Sequence, residues 1–238
     1  MAAPLNIIED RVPDSRALMV LLPGAGDAAG LYARHGFIEE ARRAGWPGDL
    51  LAVDAYSDLY LDKSALPRLH AEVIAPELAA RPRPLWLTGI SLGGMGACEY
   101  ARLHPGDVAG LLLMAPFLAV RGTIAQVTRA GGLAAWQPHP AELQDEERAL
   151  LHWIKQWPRG KVEGAQVPPA WLGYGLQDRY APASSLMAAC LRDAQVLTAQ
   201  GGHDWPTWQA LWPRLLAASQ PAWPRPAGVP GHPAFHLE

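Results

Sequence analysis

Short apolar runs recur along the chain at Ala17–Leu22, Leu50–Val53, Leu85–Thr88, Gly110–Met114, Trp171–Gly173 and Gln195–Thr198. Most are continuous rather than alternating, the pattern of strands whose two faces are both covered. Between them lie stretches with helical spacing of apolar residues, at Phe37–Arg43, Leu69–Ala80, Leu92–His104, Ala183–Leu191 and Pro206–Ala218. Strand and helix in alternation predict a mostly parallel, doubly wound α/β sheet with crossover helices. The Leu92 helix is expected to stop at Pro105-Gly106, where neither residue continues it. The longest connection, about 117–168, contains Gly131-Gly132, a break at Pro138 and Pro140 and a polar helical stretch at Ala141–Gln156. It reads as a crossover helix plus a short lid over the strand ends, with a long surface loop as the alternative.

A length of 238 residues suits one domain, expected over 1–220, with 221–238 as an extended tail because five prolines crowd it. Half of the residues are hydrophobic and 18% are charged, a globular profile. The net charge of −3 and the scattered lysines and arginines argue against nucleic-acid binding. Cys98 and Cys190 have no zinc-like spacing and read as buried free thiols. The first residues combine acids with a proline and lack an apolar signal run, and no later stretch reaches about 18 apolar residues, so a cytoplasmic, non-membrane protein is expected. Oligomeric state is left open, and Leu237-Glu238 has the look of a cloning scar.

Chemistry enters where Leu85-Trp86-Leu87-Thr88 runs into Gly89-Ile90-Ser91-Leu92-Gly93 and then a helix, a G-x-S-x-G turn in the context that a serine nucleophile needs. The alternative is a glycine-rich strand-to-helix turn with an incidental serine. A serine hydroxyl is a weak nucleophile unless a base lies within hydrogen-bond reach and a third group orients that base. His203 follows a predicted strand and the turn Gln200-Gly201-Gly202 and is the candidate base; the other seven histidines lie in or beside helices, in the lid or in the tail. Asp178, just past the preceding strand, is the candidate acid, although aspartate is also a good turn former. Acyl transfer requires oxyanion donors. The backbone N–H of Leu92 is one, and Ala25 in Leu22-Pro23-Gly24-Ala25-Gly26-Asp27 is the second, with Gly26 as the alternate. Trp205, Trp208 and Trp212 follow helical spacing and read mainly as core. Phe117 and Trp205 are nevertheless the substrate-binding candidates, with Trp136, Trp153 and Trp157 as further aromatics from the lid. No His, Cys or carboxylate group has metal spacing, and no cofactor is expected.

PGAGD, GISLGG, GLQDRYAP and GGHDW, in this order, resemble the α/β-hydrolase superfamily, the first three in particular its carboxylesterase and acyl-thioesterase branch; GGHDW with Trp208 is also similar to the end of esterase D and siderophore-esterase-like proteins. The resemblance covers about residues 17–220. Pro23 stands where many relatives carry a histidine before the oxyanion glycine. The resemblance implies a serine hydrolase acting on a small-molecule ester or thioester through Ser91, His203 and Asp178. An amidase or peptidase on the same residues, and a non-catalytic binding protein of the same fold, are its rivals.

Overall fold

A computed structural model describes residues 3–54, 57–162 and 164–225. Seven strands form one sheet: β1 (Ile7–Asp10), β2 (Leu18–Leu22), β3 (Asp49–Val53), β4 (Leu85–Ile90), β5 (Val108–Met114), and, after a two-stranded hairpin of β6 (Lys161–Val162) and β7 (Ala165–Gln166), β8 (Ala170–Gly175) and β9 (Val196–Ala199). Their order is β1-β3-β2-β4-β5-β8-β9, parallel throughout except for β1. All six predicted strands are present. β1 was not expected: its four residues, Ile-Ile-Glu-Asp, are half exposed and carry no run long enough to stand out. An antiparallel edge strand needs only one covered face.

Side chains alternate between the two faces, so each strand feeds two cores. Leu18, Val20 and Leu22 of β2 join one apolar cluster. Met19 and Leu21 join the other. The second is closed by α1 (Gly30–Arg34), α2 (Phe37–Arg43) and the last main helix. The first is closed by a helical run over residues 65–80, by α6 (Leu92–Leu103) and by the crossover segment. The 65–80 run follows α3 (Ser57–Leu61) and comprises α4 (Ala65–Arg68), a π-helical turn (Leu69–Ile74) and α5 (Ala75–Ala80). Pro76 accounts for the turn: its ring excludes the usual bond to the carbonyl four residues back, and a wider turn absorbs the misfit.

The 117–168 segment contains α7 (Arg121–Arg129), a short 3-10 turn, and α8 (Glu146–Lys155). Leu150, Leu151, Trp153 and Ile154 of α8 are buried, so this helix spends its apolar face on the core as a crossover element. α9 (Ala181–Ala188) connects β8 to β9, and α10 (Trp205–Ser219) closes the fold. Beyond α10, Trp223 is buried against Trp46, while 226–238 lie outside the described residues. Cys98 is buried and Cys190 partly so, both as free thiols. Among the described residues no helix is long and apolar enough to cross a membrane.

Candidate active site

β4 delivers Ser91 at its carboxyl end with φ 51° and ψ −114°, a backbone conformation that costs a non-glycine residue on the order of 1–3 kcal/mol. The turn survives because its neighbours fix it. The Ser91 N–H donates to the Met114 carbonyl at 3.0 Å, and the Ser91 carbonyl accepts from Met95 at 3.1 Å and Phe117 at 2.9 Å. Glycine is required on either side: a Cβ on Gly89 would overlap the Gly93 carbonyl, and one on Gly93 would overlap that of Leu22. The predicted Gly-x-Ser-x-Gly turn is therefore sterically determined.

Two loops bring the other residues to Ser91. Past β8, the turn at Asp178 is tied down by its own carboxylate, which accepts the Tyr180 N–H at 2.7 Å through Oδ1. Oδ2 lies 2.7 Å from His203 Nδ1. With Nδ1–H donated to Asp178, Nε2 keeps its lone pair toward Ser91, whose Oγ is 2.9 Å away. The Asp178 side chain is fully buried and that of His203 is 14% exposed, so the carboxylate is shielded from water while the imidazole edge remains reachable. The Gln177 N–H donates to the Gly201 carbonyl, and the Gly201 N–H in turn donates to Gln177 Oε1. This pair clips the acid loop to the histidine loop. Asp204 then caps α10, accepting the Thr207 N–H at 3.0 Å and the Thr207 hydroxyl at 2.6 Å.

The turn after β2 closes with the Asp27 N–H donating to the Gly24 carbonyl at 3.1 Å. Gly24 packs beside Ser91 Cβ, so the Gly24–Asp27 turn lies next to the nucleophile, as an oxyanion loop must. Leu92 opens α6, where the first N–H groups have no intrahelical acceptor. The same turn brings a third carboxylate to the site. Burial raises the Asp27 carboxyl above its ordinary range, while His35 and His203 nearby pull it back down.

Phe117 sits against the nucleophile turn through its N–H and meets Tyr180 edge-on at 6.2 Å. Trp205 stacks on His35 at 4.3 Å and packs edge-on against Tyr32 and Phe37, joining α10 to α1 and α2. The rings against His203 are instead Tyr180 at 4.8 Å and Trp208 at 5.1 Å. Neither emerged from the sequence as a site residue: Trp208 blends into a helical Trp stripe, and Tyr180 depends on how the Asp178 turn folds. Trp136, Trp153 and Trp157 are all buried in the core cluster. Among the described residues no group of three or more His, Cys, Asp or Glu could hold a metal ion.

A parallel sheet flanked by helices, with a serine on a strained strand-to-helix turn and a His–Asp pair on the loops after later strands, defines an α/β hydrolase. Residues 13–199 match the family model described as serine aminopeptidase, S33, and the chain belongs to that family of hydrolases. A comparison with curated proteins finds no match. Solved structures with the same fold include a ferulic acid esterase (14% identity, TM-score 0.60, covering 91% of this chain and 98% of that one). An S-formylglutathione hydrolase from Staphylococcus aureus is 17% identical, with TM-score 0.56 and coverage of 87% and 82%. A monoacylglycerol lipase of Paleococcus ferrophilus is 18% identical, with TM-score 0.56 and coverage of 91% and 100%.

Proposed function

We propose that the protein hydrolyses carboxylic esters of small molecules, thioesters included, through an acyl-enzyme on Ser91. The observation that carries this reading is the unbroken relay from Asp178 Oδ2 through the two ring nitrogens of His203 to Ser91 Oγ, at 2.7 and 2.9 Å. His203 takes the serine proton as Oγ attacks the carbonyl, then passes it to the leaving oxygen or sulfur. Water, deprotonated by the same imidazole, releases the acid. Asp178 holds the tautomer and stabilises the imidazolium. The N–H groups of Leu92 and Ala25 stabilise the oxyanion, each worth about 3 kcal/mol in such sites. Phe117, Tyr180 and Trp208 flank the reacting groups. The ferulic acid esterase, S-formylglutathione hydrolase and monoacylglycerol lipase among the structural likenesses support the ester reading.

A second reading, cleavage of an amino-terminal amide, is favoured by the description of the family model. A fluorophosphonate probe should label the wild type and leave Ser91→Ala unlabelled. Turnover of p-nitrophenyl acetate and butyrate set beside aminoacyl p-nitroanilides then separates the two: faster ester cleavage supports the esterase, and cleavage confined to the anilides the aminopeptidase. An unlabelled wild type would leave only a binding role for the fold.

A further inference from the structure

An open groove of about 390 Å³ begins at Tyr180, the ring that packs on His203, and runs along α7. Its walls are apolar: Ala119, Ile124, Ala125, Pro182 and Ala183. Three arginines also line it. Arg121 and Arg129 come from the two ends of α7, and Arg179 comes from the turn that holds Asp178. Positions 121, 124, 125, 128 and 129 follow helical spacing and so share one face of α7.

None of the three arginines has a carboxylate within ion-pair distance among the described residues. Arg11, Arg42, Arg68, Arg83 and Arg148 are each paired, whereas Arg34 and Arg81, like the three, are not; what distinguishes the three is their place around one apolar groove. Glu147, the carboxylate packed on the start of α7, accepts the Val120 N–H and the Thr123 hydroxyl rather than a guanidinium. Arg179, itself part of the groove lining, lies with its guanidinium carbon 4.8 Å from the centre of the Tyr180 ring. In a chain with net charge −3, three arginines without an ion-pair partner among the described residues thus surround an apolar trough that is linked to His203 through the Tyr180 ring. A guanidinium fork is suited to carboxylate and phosphate oxygens, and an apolar wall to methylenes or a ring.

We propose that this groove selects substrates whose ester is joined through an apolar spacer to an anionic end, a carboxylate or a phosphate. The inference rests on the ester-hydrolase reading above and names the substrate class of that site. The apolar spacer lies along Ile124 and Ala125, and the anion is drawn by the arginines that border the groove, Arg121, Arg129 and Arg179. Since the arginines are exposed, their attraction is screened by salt.

The test compares three p-nitrophenyl esters of one length: the monoester of suberic acid, its ω-methyl ester, and 7-phosphonoheptanoate. The expected kcat/KM for either anion is about tenfold above that for the neutral ester in low salt, falling toward parity in 0.5 M NaCl. In the triple variant R121Q/R129Q/R179Q the ratio falls to about 1. Because the ratio is taken within one preparation, partial misfolding does not imitate the effect. A larger ratio for phosphonate than for carboxylate assigns the anion as a phosphate, and the reverse assigns it as a carboxylate. A wild-type ratio near 1, or a ratio that survives the triple replacement, overturns the inference. Calorimetric binding of suberate and of 7-phosphonoheptanoate to Ser91→Ala supplies a readout without turnover. Binding that the arginine replacements abolish supports the groove even where no ester is cleaved, and absence of binding to either anion sinks it independently of the ester-hydrolase reading.

Discussion

Ser91, His203 and Asp178 come from three loops far apart in sequence, and their contacts act as one unit, so their losses should not multiply. Ser91→Ala and His203→Ala are each expected to remove nearly all ester turnover, with the double variant hardly worse. Separate, multiplying losses in kcat would count against the relay. Asp178→Asn replaces an acceptor with a donor opposite Nδ1 and withdraws the charge that stabilises the imidazolium. With the fold intact by circular dichroism, kcat should fall on the order of 10³ to 10⁴. A loss under tenfold would assign the orienting role to another group, and Asp27 and Asp204, whose carboxylates both feel the charge of His203, are the ones to replace next. The three positions were readable in the sequence because each follows a strand and carries its own turn glycines. Asp27 was not, since only the folded Gly24–Asp27 turn brings it near enough for His35 and His203 to act on its carboxyl. Tyr180 and Trp208 were hidden for a similar reason: ring contacts with His203 have no fixed sequence spacing.

Elements are held together unevenly. Arg83, 4% exposed, bonds to the equally buried Asp49 at 3.1 Å and to Glu77 at 2.7 Å, joining the loop before β4 to β3 and α5. Asp49 also accepts the Val12 N–H, which anchors the chain after β1. Arg83→Ala would strand a buried carboxylate, and breaking a buried pair from one side typically costs about 3–5 kcal/mol. The urea midpoint of the variant should drop accordingly, and a change below about 1 kcal/mol would mean that Arg11, 3.5 Å from Asp49, replaces Arg83. At the end of α6 the His104 ring stacks against both Tyr100, at 4.3 Å, and His70, at 4.5 Å. Burial, then the neighbouring His70, lower the His104 pKa, with Asp107 opposing. The unfolded chain therefore takes up this proton more readily than the native one. The contribution is complete above the ordinary value of 6.5 and is lost as the pH falls below it. His152, lowered by burial and by Lys155 and Arg159, acts in the same direction. The urea midpoint should decline from pH 8 to 5.5, and less steeply in His104→Gln; equal slopes would exclude the stack as a source. These features also mark the limit of pattern reading: buried runs such as β2 and β4 announce themselves, whereas β1, with two apolar residues and two acids, and α7, rich in polar residues, gain their structure from what they pack against.

At the scale of the whole molecule, what decides the reach of the site is how much chain remains to cover it. Between Pro116 and Pro169, α8 turns its apolar face to the core, and Trp136, Trp153 and Trp157 are buried with it. α7 is the element left beside the strand ends, where it walls an open groove of about 390 Å³ rather than a tunnel. Each methylene that enters an apolar wall is worth about 0.8 kcal/mol, so with the acyl chain in the proposed groove specificity should climb along Ile124 and Ala125 and stop climbing once the chain projects into water. Among uncharged p-nitrophenyl esters, kcat/KM should therefore peak at short to medium chains, about C2 to C8, and fall by C16. Lengthening the covered path is the converse test: Ala125→Leu adds apolar wall beside Ile124 and should move the optimum or steepen the rise per methylene. A wild-type maximum at C12 or beyond would require α7 to close over the chain, and the groove would then be the resting form of a deeper site.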